Sequence, residues 1–90
     1  MTSRQATVKN EYGIHCRPVA VIVAKVRNYA GTIQVVTADG YVADCKSIID
    51  LIQLGIKCAD TVVVHVDGPD EEATCARVAG LFETRYDFPR

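Results

Sequence analysis

Tryptophan is absent from this 90-residue chain, and four Tyr and two Phe are its only aromatic residues. Sheet surfaces that read nucleic acid by stacking need paired aromatics, and none is apparent here. Charge of one sign is missing too. Ten Lys and Arg against eleven Asp and Glu leave a net charge of −1, which argues against nucleic acid or anionic lipid as a partner held by long-range attraction. The longest apolar run, Pro18 to Ala24, falls far short of the roughly 20 residues of a membrane-spanning helix. Residues 1–12 lack the apolar block of a signal peptide. The expectation is a cytoplasmic protein with no membrane insertion. Cys16, Cys45, Cys58 and Cys75 are scattered, with no Cys-x-x-Cys pair and no Cys/His cluster of zinc-ligand spacing. No metal, cofactor or disulfide is expected, and most of the thiols read as small core fillers.

What the chain does hold is apolar content in short periods. Hydrophobic residues make up 49% of it and charged ones 23%, enough for one small domain over residues 1–90. The ordered core is expected over about residues 4–84, with the first three residues and residues 86–90 as tails. Residues 4–9 alternate, Ala6 and Val8 on one face against Gln5, Thr7 and Lys9 on the other. After a break at Asn10 to Gly13, Val19, Ile22, Val23 and Val26 follow helical spacing between His15 and about Asn28, with Pro18 in the first turn. Residues 32–37 form a strand with Ile33 and Val35 inward, and Asp39-Gly40 turns the chain into another strand over 41–45. Ser47 sits near the N-cap of a short helix running to Leu54, which Gly55 stops. Residues 61–67 make a fourth strand with Val62, Val64 and Val66 inward. Gly68-Pro69-Asp70 opens a last helix that buries Thr74, Cys75, Val78, Leu81 and Phe82. The order βαββαβα predicts an α+β fold, with one antiparallel or mixed four-stranded sheet and helices on one face. The other face is solvated, consistent with Lys9, Gln34 and Asp44.

Two segments are odd for a purely structural domain. Gly13-Ile14-His15-Cys16-Arg17-Pro18 places an imidazole at the mouth of a helix, with a guanidinium two residues on. A helix N-terminus offers unpaired N–H groups and positive partial charge, which favours an anion such as a phosphoryl group. The same features keep His15 neutral and nucleophilic near neutral pH. Arg17 can grip phosphoryl oxygens through its planar fork. Taken alone, the histidine also fits a plain exposed helix-cap residue. The second segment is Lys46 to Gly55. Leu51 and Leu54 suit the core, while Ile49 and Ile52 form a separate ridge. An exposed ridge of this kind marks a partner surface; a tilted helix burying both stripes is the alternative.

Together, at this separation, Gly-Ile-His-x-Arg-Pro and Lys-Ser-Ile-x-x-Leu-x-x-Leu-Gly resemble the active-centre and regulatory-serine motifs of the HPr family, the histidine-containing phosphocarriers of the bacterial phosphoenolpyruvate-dependent sugar phosphotransferase system. The resemblance runs from about Arg4 to Phe82. It implies an open-faced β-sandwich, four antiparallel strands under three helices. It implies that His15 takes a phosphoryl group on Nδ1 from phospho-enzyme I and passes it to an enzyme IIA domain, assisted by Arg17 and by the backbone N–H groups of Cys16 and Arg17. Such a protein is a carrier and a substrate of enzymes, not an enzyme itself, and works as a monomer. Ser47 matches the serine modified by HPr kinase/phosphorylase. Ile48, Ile49 and Ile52, with Ala20, Ala24 and Arg27 beside them, match the patch that docks enzyme I and the enzyme IIA domains.

The chain departs from the family pattern at four places. Cys16 stands where Ala or Thr is common, and Ala24 replaces a frequent Lys. Asp50 stands where Gly, Lys or Arg is usual, and Ala59 takes a turn position often held by Gly, at some cost in local strain. Ala24 and Asp50 make the docking face less basic. His65, between Val64 and Val66 on its strand, faces solvent and is read as a surface residue. Asp70, Glu71 and Glu72 favour a helix dipole and imply no catalysis. The rival readings are a regulatory HPr-like protein acting mainly through Ser47 in a bacterium with an incomplete phosphotransferase system, and a generic ferredoxin-like interaction or nucleic-acid-binding domain.

Overall fold

A computed structural model describes residues 1–10, 13–14 and 16–84, except for the Cys16 side chain. The elements run β1 (Thr2–Thr7), α1 (Cys16–Val26), β2 (Thr32–Thr37), β3 (Val42–Asp44), α2 (Ile48–Gln53), β4 (Thr61–Asp67) and α3 (Glu71–Glu83). The four strands form one sheet in the order β1-β4-β2-β3, and every pairing is antiparallel. The three helices lie on one face, as the α+β reading requires.

Alternation explains the core. In β4, Val62, Val64 and Val66 are buried while Val63 and His65 are half-buried on the opposite face. Ile33 and Val35 of β2, Ala43 of β3 and Ala6 of β1 face the same way. Val19, Ile22, Val23 and Val26 of α1, Leu51 of α2, and Cys75, Val78 and Phe82 of α3 close over them in one cluster. Gly40, with φ of 89°, lets the β2–β3 hairpin turn with Gly40 N–H donating to the Thr37 carbonyl.

Four details differ from the sequence reading. β1 begins at Thr2 rather than Arg4, so residues 2 and 3 are no tail: Thr2 pairs with Val66 and Ser3 with His65. The seven-residue β4 offers backbone partners along its whole length, and that overrides the polar character of Thr2 to Gln5. β3 shrinks to three residues. In α3, Ala79 is buried and Leu81 only partly so. Cys58 is exposed, while Cys45 and Cys75 are buried as expected. The tail expected over 86–90 lies outside the described residues.

Both outer strands have a backbone N–H covered by a helix carboxylate. Asp50 Oδ2 accepts from Asp44 N–H on β3 at 3.4 Å. Glu83 Oε2 accepts from Thr7 N–H on β1 at 3.1 Å. The start of β1 is also tied to α3, because Glu71 Oε1 accepts from the Thr2 hydroxyl and lies 3.1 Å from the Met1 ammonium.

Candidate functional site

The segment leading into α1 is laced to the segment leading into β4. Val8 N–H donates to the Asp60 carbonyl, Ala59 N–H to the Val8 carbonyl, and Ile14 N–H to the Ile56 carbonyl, at 2.8–3.0 Å. Within the loop, Gly13 N–H donates to the Asn10 carbonyl, and Asn10 Nδ2 donates to the Gly13 carbonyl at 2.7 Å. Asn10 is 1% exposed, and Ile14 and Ile56 are both buried. The backbone immediately before residue 15 is therefore fixed by buried hydrogen bonds.

Gly13 is required by this close approach. Its φ is +71°, and a Cβ there would overlap the Ile56 carbonyl oxygen and stand 2.9 Å from the Lys57 Cα. Ala59, on the opposing segment, adopts φ of 73°, in accord with the strain expected for Ala in place of Gly.

His15 itself lies outside the described residues, as does the Cys16 side chain. Cys16 and Arg17 are the first two residues of α1, an eleven-residue helix with no acid in its first turn and Lys25 in its last. Its first-turn N–H groups and positive dipole end therefore meet no intrahelical carboxylate. Arg17, Ala20, Ala24 and Arg27 are all exposed. Their spacing of three or four residues places Arg17, Ala20 and Ala24 along one stripe of α1, which Arg27 continues just past the end of the helix.

Ser47 is the N-cap of α2, and its Oγ accepts from Asp50 N–H. On this six-residue helix, Leu51 is fully buried while Ile48, Ile49 and Ile52 are 44%, 67% and 39% exposed. The two stripes separate as the first of the two alternatives expected, and the isoleucine ridge faces solvent. α1 and α2 pack against each other, which brings the α1 stripe and the α2 ridge into neighbouring elements. Among the described residues no group of three or more His, Cys, Asp or Glu could hold a metal. Among the described residues no helix is long and apolar enough to cross a membrane either. Burial pushes the Cys45 thiol up to about 12, with Asp44 adding to the rise.

A family model described as the PTS HPr component phosphorylation site matches residues 2–84. The chain belongs to the HPr family. It is 32% identical over 83 residues to the phosphocarrier protein HPr of Mycoplasma genitalium, spanning 92% of this chain and 94% of that protein. HPr-C-His of Thermoanaerobacter tengcongensis superimposes with a TM-score of 0.82 at 27% identity, covering 91% of each chain. The phosphocarrier HPr of Bacillus anthracis gives a TM-score of 0.85 at 22% identity, covering 91% and 96% of the two chains, and shares the fold.

Within an HPr fold, two parts of this site were not visible as such in the sequence. Asn10 read as part of a break, yet it is the buried brace of the loop. Its only signal was the Asn-x-x-Gly spacing to Gly13. Asp50 read as a charge on the docking face; its contact with Asp44 N–H arises only once β3 and α2 meet.

Proposed function

We propose that this HPr-family chain carries phosphoryl groups on His15, accepting them from phospho-enzyme I and delivering them to an enzyme IIA domain in the cytoplasm. The observation that supports this most is the braced loop at Asn10, Gly13 and Ile14, which leads directly into an α1 N-terminus with no acid in its first turn. A nucleophile at residue 15 stands where helix N–H groups offset the charge of a phosphoryl group. In the transfer, the Nδ1 lone pair of His15 forms the new P–N bond as the donor's bond to phosphorus breaks. Arg17 and the N–H groups of Cys16 and Arg17 stabilise the equatorial oxygens. The carrier is a substrate of its partners rather than an enzyme, and acts as a monomer.

Docking uses the ridge of Ile48, Ile49 and Ile52 with Ala20 and Ala24 of α1 and Arg27 just after it. Ser47 is the site at which an HPr kinase/phosphorylase adds a regulatory phosphate. Such a phosphate brings about −1.5 to −2 charges beside the ridge, while the N-cap position is favourable to the fold. Ser47→Asp then leaves the protein folded.

The test is incubation with enzyme I and phosphoenolpyruvate, followed by intact mass and acid lability. One acid-labile phosphate per chain is expected, absent in His15→Ala. Arg17→Lys lowers the transfer rate more than docking, because lysine keeps the charge and loses the fork. Phosphate appearing on His65 in the His15→Ala protein overturns the assignment.

A further inference from the structure

The docking face carries two halves of opposite character. Along α1 and just past its end, the exposed stripe carries two guanidinium groups, Arg17 and Arg27. On the other side, β3 and α2 enclose an open cleft of about 490 Å³ lined by Tyr41, Val42, Asp50, Gln53 and Leu54. Tyr41 and Val42 are more than half exposed and share the cleft with the Asp50 carboxylate, and Ile49 and Ile52 are exposed on the same short helix as Asp50.

The carboxylates in this region meet no side-chain cation among the described residues. Asp50 accepts only the Asp44 N–H, and Asp44 accepts the Lys46 N–H. The ammonium of Lys46, the basic residue between them in sequence, is taken up elsewhere. It donates to the Tyr29 and Gly31 carbonyls at 2.6 and 2.7 Å and lies over the Tyr29 ring. An apolar surface holding an unneutralised carboxylate favours a partner that supplies the missing cation and disfavours one that brings a second anion.

We propose that the β3–α2 cleft is a charge-selective extension of the docking surface, with Asp50 as its specificity-determining residue. It takes a lysine or arginine from a protein partner whose adjoining apolar side chains cover Tyr41, Val42, Ile49 and Ile52. The identity of that partner as a phosphotransfer protein rests on the function proposed above. The cleft's preference for a cation between apolar groups does not.

Two measurements test this separately. In the first, the labelled full chain is titrated with N-acetyl-Leu-Lys-Leu-amide and with N-acetyl-Leu-Glu-Leu-amide while backbone amide shifts are followed. The lysine peptide should give saturable shifts at Tyr41, Val42, Gln53 and Leu54, about two- to fivefold weaker in Asp50→Asn, as suits one exposed ion pair. Equal shifts from both peptides, shifts confined to other residues, or no shifts overturn the proposal. In the second, phosphoryl transfer from the enzyme I of the same bacterium is timed for wild type and Asp50→Lys. The variant should be slower by about tenfold at low salt, with the gap narrowing as salt rises. A variant that transfers faster than wild type overturns the proposal. If the wild type accepts no phosphate, the phosphocarrier reading fails, and the peptide titration still decides the cleft.

Discussion

Three glycines in this fold call for three different responses to the same substitution. Gly13→Ala puts a methyl group at a positive φ against the Ile56 backbone. The left-handed conformation alone costs about 1–2 kcal/mol. The overlap then forces apart two segments that share the Ile14 N–H to Ile56 hydrogen bond. Leaving those buried groups unpaired adds about 1–3 kcal/mol, so a loss of about 2–5 kcal/mol is expected. Gly40→Ala shares a positive φ, but nothing lies within 4 Å of its new methyl, so only the conformational part of about 1–2 kcal/mol remains. Gly80→Ala sits in open space within α3 and should stabilise by about 0.5–1 kcal/mol through helix propensity. Urea unfolding of the three variants, with m-values to check two-state behaviour, gives the comparison. Amide shifts at Asn10, Ile14 and Ile56 should move in Gly13→Ala alone. If Gly13→Ala costs no more than Gly40→Ala, the close packing of the two loops is not what holds the backbone before residue 15.

Ile49→Glu should change stability by less than about 1 kcal/mol, because the side chain is mostly in water, while weakening enzyme I binding at least about tenfold; Leu51→Ala on the buried side of the same helix should cost about 2–5 kcal/mol. Unfolding of Ile49→Glu in a melting curve would remove the ridge from the docking surface. The Met1 ammonium and then the Gly68 N–H hold the Glu71 carboxyl below its ordinary value of 4.5, so its contribution is present above that value and is lost as pH falls through the lowered one. Melting temperature against pH should therefore lose part of its acid-side slope in Glu71→Gln; an unchanged slope refutes the tie between β1 and α3. Iodoacetamide at neutral pH should label exposed Cys58 and spare Cys45 and Cys75, whose thiols burial pushes up. Peptide mapping that finds native Cys45 modified would contradict the packing of the core around it.

Legibility followed burial. Val62, Val64 and Val66, or Ile33 and Val35, announce their strands because one face of the sheet is dry and the other wet. The first half of β1 carries no such contrast: Ser3, Arg4 and Gln5 are all exposed, so only the partner strand makes them extended. The Ser47 cap and the Ile49–Ile52 ridge were readable because both depend on spacing along a single helix. Asn10 and Asp50 were not, because each acts on a backbone group whose position is set by the fold. The preference of Asn10 for the interior makes sense only when Ile56 fixes the loop around it. In α3, Ala79 is buried and Leu81 packs at the edge of the core, a distinction between neighbouring positions that no pattern over thirteen residues defines.

The carboxylates over Asp44 N–H and Thr7 N–H have a consequence for how copies of this protein meet at high concentration. An uncovered outer strand is a template for another chain's backbone, and sheets that grow in this way become fibres. Here an incoming strand that would pair at Thr7 or at Asp44 must displace a charged side chain before it gains that ladder hydrogen bond, and its own carbonyl oxygens are repelled as it approaches. The two guards are unequal. The contact on β3 is longer and that strand is only three residues, which gives an intruder little length to pair with. β1 presents six residues, so Glu83, at its Thr7 end, guards the longer of the two edges. A crowded cell would exert its pressure for sticking at that edge.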